Sequence, residues 1–226
     1  DPIGDLAAIA REFDLYLHVD AAWAGTAMIC PELRHLWAGI EGADSIVINP
    51  HKWLGAQSPC TAHFVRDPSS LTRTLAARPD YLHTLGHDEV INYSEWGIPL
   101  GREFRALKLW FLLRAYGLEA LRTMIRNHIA WSRALCEKLR VTPNFEIVTN
   151  PNYSLFSFRY CGQSGANVDD LNLALVEAIN ADGRIYLTQT RVDGAVAIRF
   201  QVGQFECTED DVMGAYDVIT ETAAGL

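Results

Sequence analysis

The order of the first 66 residues limits most strongly what this chain can fold into. "DPIGDLAAIAREFD" has helical spacing, with Ile3, Leu6, Ile9 and Phe13 on one face, Asp1 as the expected N-cap and Pro2 at the first helical position. "LYLHVDAAWAG" follows, an apolar, β-prone run that ends at Asp20 and then turns to small residues. A helical stretch, "PELRHLWAGIEGA", leads to a second apolar strand, "SIVINP", and then a third, "TAHFVR". Helix, strand, helix, strand is the alternation of an α/β domain built on a mostly parallel sheet. Ligands of such sheets bind beyond the carboxyl ends of the strands. Asp20 and the run from Asn49 to Lys52 both stand at strand exits, so both are expected to face one crevice.

The rest of the chain reads differently. Residues 78–97, "RPDYLHTLGHDEVINYSEWG", are polar and rich in turn formers, a long loop of the kind that is either functional or disordered. "REFRALKLWFLLRAYGLEALRTMIRNHIAWSRALCEKLR" predicts a helix interrupted near Gly117 that bridges two domains. "FEIVTN" and "YSLFSFRY" read as strands, and "VDDLNLALVEAINADG" as a helix with Asp169 or Asp170 near its start and Gly183 as its stop. Two strands surround a Val-Asp-Gly hairpin signal, and a closing helix has Thr208 as its candidate cap. The second half is therefore an α+β unit, with the division expected between residues 1–107 and 108–226.

Composition excludes several functions. A net charge of −9 is the wrong sign for a general nucleic-acid surface. No apolar run approaches the roughly 20 residues of a membrane span, so no membrane role is expected. The cysteines (Cys30, Cys60, Cys136, Cys161, Cys207) are odd in number and scattered, without CxxC spacing. That pattern predicts reduced thiols in a cytoplasmic protein, with neither a disulfide framework nor a metal site. The chain also opens at once as a helix, without an initiator methionine, which predicts a piece of a longer chain or a chain cut in two.

The chemistry centres on "VINPHKWLGA". Lysine is rarely buried unless it is paired or reactive. From spacing alone Lys52 is either an ordinary lysine on a strand-exit loop or an amine that forms a Schiff base with a carbonyl. Pyridoxal phosphate needs such a lysine, together with an acid that keeps its ring nitrogen protonated. Asp20 and Lys52 have the chemistry for those two roles, although an aspartate at a strand end also serves as a helix cap.

"LHVDAAWAG", "LRHLWAGIEGADS", "NPHKWL" and "WGIPLGREFRALKLWFLLRAYGLEALR" together resemble the group II pyridoxal-phosphate amino-acid decarboxylases, and within them the aromatic-L-amino-acid branch. The resemblance covers essentially the whole chain. It implies the aminotransferase fold type I, with residues 1–107 as the C-terminal part of the cofactor-binding large domain and 108–226 as the C-terminal small domain. It implies that Lys52 holds the cofactor and that Asp20 faces its pyridine nitrogen. Ala22 is the small residue against the ring, and Asn49 and His51 lie near the phosphate and the Schiff base. His18 is expected to be packed or hydrogen-bonded rather than catalytic. Tyr81 in "RPDYLH" matches a mobile-loop tyrosine that returns a proton to Cα. Phenylalanine there goes with oxidative deamination to an aldehyde, so Tyr81 implies plain decarboxylation.

Gly101 in "PLGREF" stands where some relatives carry serine. In the family glycine there accompanies indolic substrates and serine phenolic or imidazole ones, while a glycine required by a turn before a helix explains it equally well. Trp23 replaces the tyrosine common in animal relatives. The resemblance also implies an upstream half that supplies phosphate grip, ring stacking and a dimer arm. A companion chain carrying that half, and a homodimer of the whole enzyme, are therefore expected. Two alternatives remain open: a relative acting on glutamate, cysteine sulfinate, diaminobutyrate or histidine, and a cofactor-less, non-catalytic fragment.

Overall fold

The computed structural model describes residues 1–76, 90–162 and 167–226. Contacts divide the chain into two compact units, Asp1–Gly117 and Leu118–Leu226. The division falls at Gly117, inside helix α3 (Ala106–Arg140), where φ 74 and ψ 163 break the helical path. A residue with a Cβ is strained at positive φ, so glycine is the natural residue at this break.

The first unit begins with α1 (Ile3–Glu12), which starts one residue later than the expected cap places it, with Pro2 at the N-cap position. Its packing corrects the periodicity argument. Ala7 and Ala10 are its buried residues, whereas Leu6, Ile9 and Phe13 are exposed, Phe13 by 63 %. The small face is inside because α1 closes against the turn Ile40–Gly42. A Cβ on Gly42 would come within 2.6 Å of the Ala7 Cβ, a spacing that leaves no room for a leucine.

The three apolar runs become short strands: β1 (His18–Asp20), β2 (Ser45–Ile48) and β3 (Ala62–Val65). β1 pairs with β2 in parallel, and β2 with β3 in antiparallel. The expected helix after β1 is instead three 3₁₀ segments, Ala24–Ile29, Pro31–Trp37 and Ile40–Gly42. Pro31 opens one of them, and Gly39, at φ 89, separates the last two, so no α-helical ladder can run through. After β3, Asp67 caps α2 (Pro68–Leu75) by accepting a bond from the Ser69 amide at 3.0 Å.

The second unit carries an antiparallel sheet in the order β4-β5-β7-β6, formed by Phe145–Asn152, Leu155–Tyr160, Ala195–Gln201 and Thr188–Val192. Alternation places Phe156 opposite Phe200 and Phe158 opposite Ile198 on one face. That face is buried with Leu135 and Leu139 of α3, Leu175 and Ile179 of α4 (Val168–Asp182), and Val212 and Ile219 of α5 (Glu209–Ala224). The hairpin between β6 and β7 turns at Asp193 and Gly194, φ 50 and 83, the two positive φ values of a type I′ turn. Gly183 ends α4 at φ 82, and Thr208 and Asp211 form a capping box at α5. Among the described residues, no helix is long and apolar enough to cross a membrane.

His128 on α3 is fully buried beside Trp131, with ring centroids 5.7 Å apart. Burial disfavours its charged form and lowers its pKa from 6.5 to about 4. Between those values the unfolded chain takes up a proton that the folded chain refuses, so stability falls as pH falls through that window and levels off below it. Chemical denaturation across pH 4 to 7 should show this slope for the second unit, and His128→Leu should flatten it.

Candidate functional site

Parallel pairing of β1 with β2 places both carboxyl ends at one edge of the sheet, with Asp20 opposite Val47. The ladder continues past the strands: the Ala21 amide donates to the Val47 carbonyl at 3.0 Å, and the Asn49 amide to the Ala22 carbonyl at 2.9 Å. The two exits are thereby stitched together where Ala22 and Asn49 stand. Asp20 is exposed, and its Oδ1 accepts the Ala22 amide at 3.0 Å. One carboxylate oxygen is thus held in a local turn and the other is left for a second partner.

Beyond Asn49 the chain wraps into a tight turn. The Lys52 amide donates to the Asn49 carbonyl at 2.9 Å, Gly55 to Lys52 at 3.2 Å and Ala56 to Pro50 at 3.0 Å. Lys52 is exposed at the apex while its neighbour Trp53 is completely buried. The Asn49 Oδ1 is buried without a hydrogen-bond partner among the described residues. An orphaned amide of this kind is costly unless a bound group completes it. The half-buried His51 places its Nδ1 2.7 Å from the Cys60 carbonyl oxygen and 3.1 Å from the Cys60 amide. A protonated Nδ1 donates to that carbonyl and a bare one accepts from that amide, so the ring is oriented in either tautomer and Nε2 is left for another partner.

Ala22 is buried. His18 donates or accepts at Nδ1 with the Ser45 Oγ, 2.6 Å away, which gives it the hydrogen-bonded role expected for it. Gly101 is exposed, lies outside the positive-φ region, and has no atom within 4 Å of where a Cβ would stand. Turn geometry therefore does not require glycine there. Tyr81 lies outside the described residues, as does most of the 78–97 loop.

Thus Asp20, Ala22, Asn49, His51 and Lys52 stand on two adjoining strand exits. An amine, a carboxylate and an unsatisfied amide around a small residue suit a flat, anionic cofactor with an aldehyde and a basic ring nitrogen. Two features escaped the sequence reading. Trp23 and Trp53 stack with ring centroids 4.5 Å apart and planes 11° from parallel; the only hint was a tryptophan directly after Ala22 and another directly after Lys52. Gly25 packs against the end of β2, where a Cβ would meet the Ile48 Cγ1 at 2.7 Å and the Ala21 Cβ at 3.1 Å.

The chain matches the pyridoxal-dependent decarboxylase conserved domain over residues 1–161. It is 41 % identical over 229 aligned residues to an aromatic-L-amino-acid decarboxylase of Catharanthus roseus, covering all of this chain and 46 % of the relative. It is 39 % identical to a phenylacetaldehyde synthase of a Rosa hybrid cultivar, again over the whole chain and 47 % of the relative. Among solved structures it superposes with a TM-score of 0.94 on Oryza sativa TDC with PLP and tryptamine, at 38 % identity, covering the whole chain and 48 % of that one. The chain spans about half the length of the curated relatives it matches.

Gly25→Ala should force Ile48 aside and disturb the Asn49–Lys52 turn that follows it, at a cost of about 1–3 kcal/mol. Thermal unfolding should report the loss. An unchanged midpoint would mean that the β2 end yields without strain.

Proposed function

The chain belongs to the pyridoxal-dependent decarboxylase family, and on that footing we propose that it forms the lysine-bearing part of an enzyme that decarboxylates an aromatic L-amino acid, of tryptophan, tyrosine or DOPA type, to the amine and carbon dioxide. The observation that carries this reading is the stitched pair of strand exits, which presents Asp20 and Lys52 at one sheet edge. Lys52 would hold pyridoxal 5′-phosphate through its amine, and Asp20 would keep a proton on the ring nitrogen. Ala22 leaves room for the ring, while Asn49 Oδ1 can accept from a hydroxyl or N–H of the bound group and His51 Nε2, in the tautomer that protonates it, can donate to a cofactor oxygen. When bound, the cofactor accepts the electron pair left behind by departing carbon dioxide. Tyr81 would return a proton to Cα.

A second reading is favoured by a relative of similar identity named as a phenylacetaldehyde synthase: release of an aldehyde rather than an amine. Tyr81, in place of phenylalanine, supports the amine. The names of the relatives support an aromatic substrate over glutamate or other acidic ones. Gly101, where some relatives carry serine, supports an indolic substrate.

We read the whole enzyme as a homodimer completed by a companion segment that carries the rest of the family's chain. The first unit supports this with large apolar side chains in water: Phe13, Leu15 and Tyr16 near the end of α1, Ile98 at 91 % and Phe104 at 75 % exposure, and Trp110 and Phe111 on α3. Such a surface calls for a covering partner. All five cysteines are free thiols, which supports a cytoplasmic setting.

Assayed with its completing segment, the enzyme should release amine and carbon dioxide in equal amounts from tryptophan or tyrosine, and little from glutamate. Aldehyde, ammonia and hydrogen peroxide released in equal amounts with carbon dioxide, at the expense of one molecular oxygen and one water, would favour the second reading instead. Lys52→Ala should lower turnover about 10³-fold or more, a loss of ~4 kcal/mol of transition-state stabilisation. Gly101→Ser should shift kcat/KM from tryptophan toward tyrosine or DOPA by about tenfold, since one hydroxymethyl group fills the space an indole would need.

A further inference from the structure

Trp23 and Trp53, whose rings stack, directly follow the two proposed functional residues Ala22 and Lys52 in the sequence. Consecutive Cα atoms are about 3.8 Å apart, so whatever fixes the two indoles also fixes the backbone of their neighbours. β1 and β2 are only three and four residues long, and past them, among the described residues, backbone bonds run from Ala21 to Val47 and from Asn49 to Ala22. The stacked rings, nearly parallel with Trp53 wholly buried, add a rigid contact beyond those bonds. Lys52 is exposed although Trp53 is buried, so at this turn the anchoring side chain and the reactive one part company.

We propose that Trp23 and Trp53 act together as a strut that sets the spacing between the β1 exit, with Asp20 and Ala22, and the β2 exit, with Lys52. Both are positioning residues, and the inference rests on the reading of Lys52 and Asp20 given above. Trp23 has no need to touch cofactor or substrate. It acts by holding Trp53, and through Trp53 the turn that carries Lys52. A flat ring of lesser area at position 23 should preserve most of the function, whereas an aliphatic side chain should weaken it.

The test compares wild type, Trp23→Tyr and Trp23→Leu in the assembled enzyme, with Trp53→Phe as the second site. Three quantities are read: the near-UV exciton signal of the indole pair, backbone hydrogen exchange over residues 49–55 before cofactor is added, and kcat/KM with the pH profile of the bound cofactor's visible absorbance. The exciton signal should vanish in Trp23→Leu and Trp53→Phe. Exchange over 49–55 should rise about tenfold in Trp23→Leu, and kcat/KM should fall about tenfold, the factor that ~1.4 kcal/mol represents. The absorbance pH profile should shift. Trp23→Tyr should recover most of the rate and the wild-type profile. If Trp23→Leu does not fold, Trp23→Met is read by the same quantities and is expected to show the same changes.

Exchange, rate and pH profile all unchanged in a folded Trp23→Leu or Trp23→Met would overturn the strut while leaving Lys52's role intact. Wild-type enzyme that gains no visible absorbance with pyridoxal phosphate would instead sink the reading of Lys52, whatever the exchange shows.

Discussion

Three parallel-paired residue positions govern everything proposed for this molecule. His18, Val19 and Asp20 lie beside Ser45, Ile46 and Val47, and because the two strands run the same way they end at the same edge. Had the pairing been antiparallel, Asp20 and Lys52 would stand at opposite ends of the sheet. A slip of one residue would turn Asp20 to the other face. The ladder's continuation through Ala21, Ala22 and Asn49 carries the register past the strands and into the two turns that bear the chemistry. Neither turn would be placed without it.

The second unit depends on a different constraint. Its sheet has one face filled by Phe156, Phe158, Ile198 and Phe200 under three helices, and its helix ends are satisfied locally by Asn167, Gly183 and the Thr208–Asp211 box. Here apolar residues and caps agree with one another. In the first unit they do not: α1 buries its alanines and leaves Leu6, Ile9 and Phe13 in water. A helix whose larger apolar face is outside, together with the exposed aromatic residues of α3, is the basis on which a covering partner is proposed.

Much of this was legible in the amino-acid sequence because it rests on local chemistry. The Val-Asp-Gly hairpin, the Gly183 stop, the Thr208 cap and the break at Gly117 each depend on one or two residues whose backbone preferences are strong. The placement of Asp20 and Lys52 at strand exits was legible because the chain marks those exits with small residues and with Asn-Pro, whereas the roles expected of them came from the family resemblance. What could not be read was packing between distant segments. The buried side of α1 is decided by Gly42, far along the chain. The stretch after β1 has helical composition but breaks into 3₁₀ turns at Pro31 and Gly39. The Trp23–Trp53 stack and the Cys60 backbone that orients His51 join residues whose proximity appears only when the strands pair.

The measurement that tests the central claim most directly is borohydride reduction of the cofactor-loaded enzyme, followed by peptide mass mapping. The account predicts a pyridoxyl group on the peptide containing Lys52 and on no other lysine. A loaded enzyme whose adduct maps to a different lysine, or whose Lys52 peptide keeps its unmodified mass after complete reduction, would contradict it.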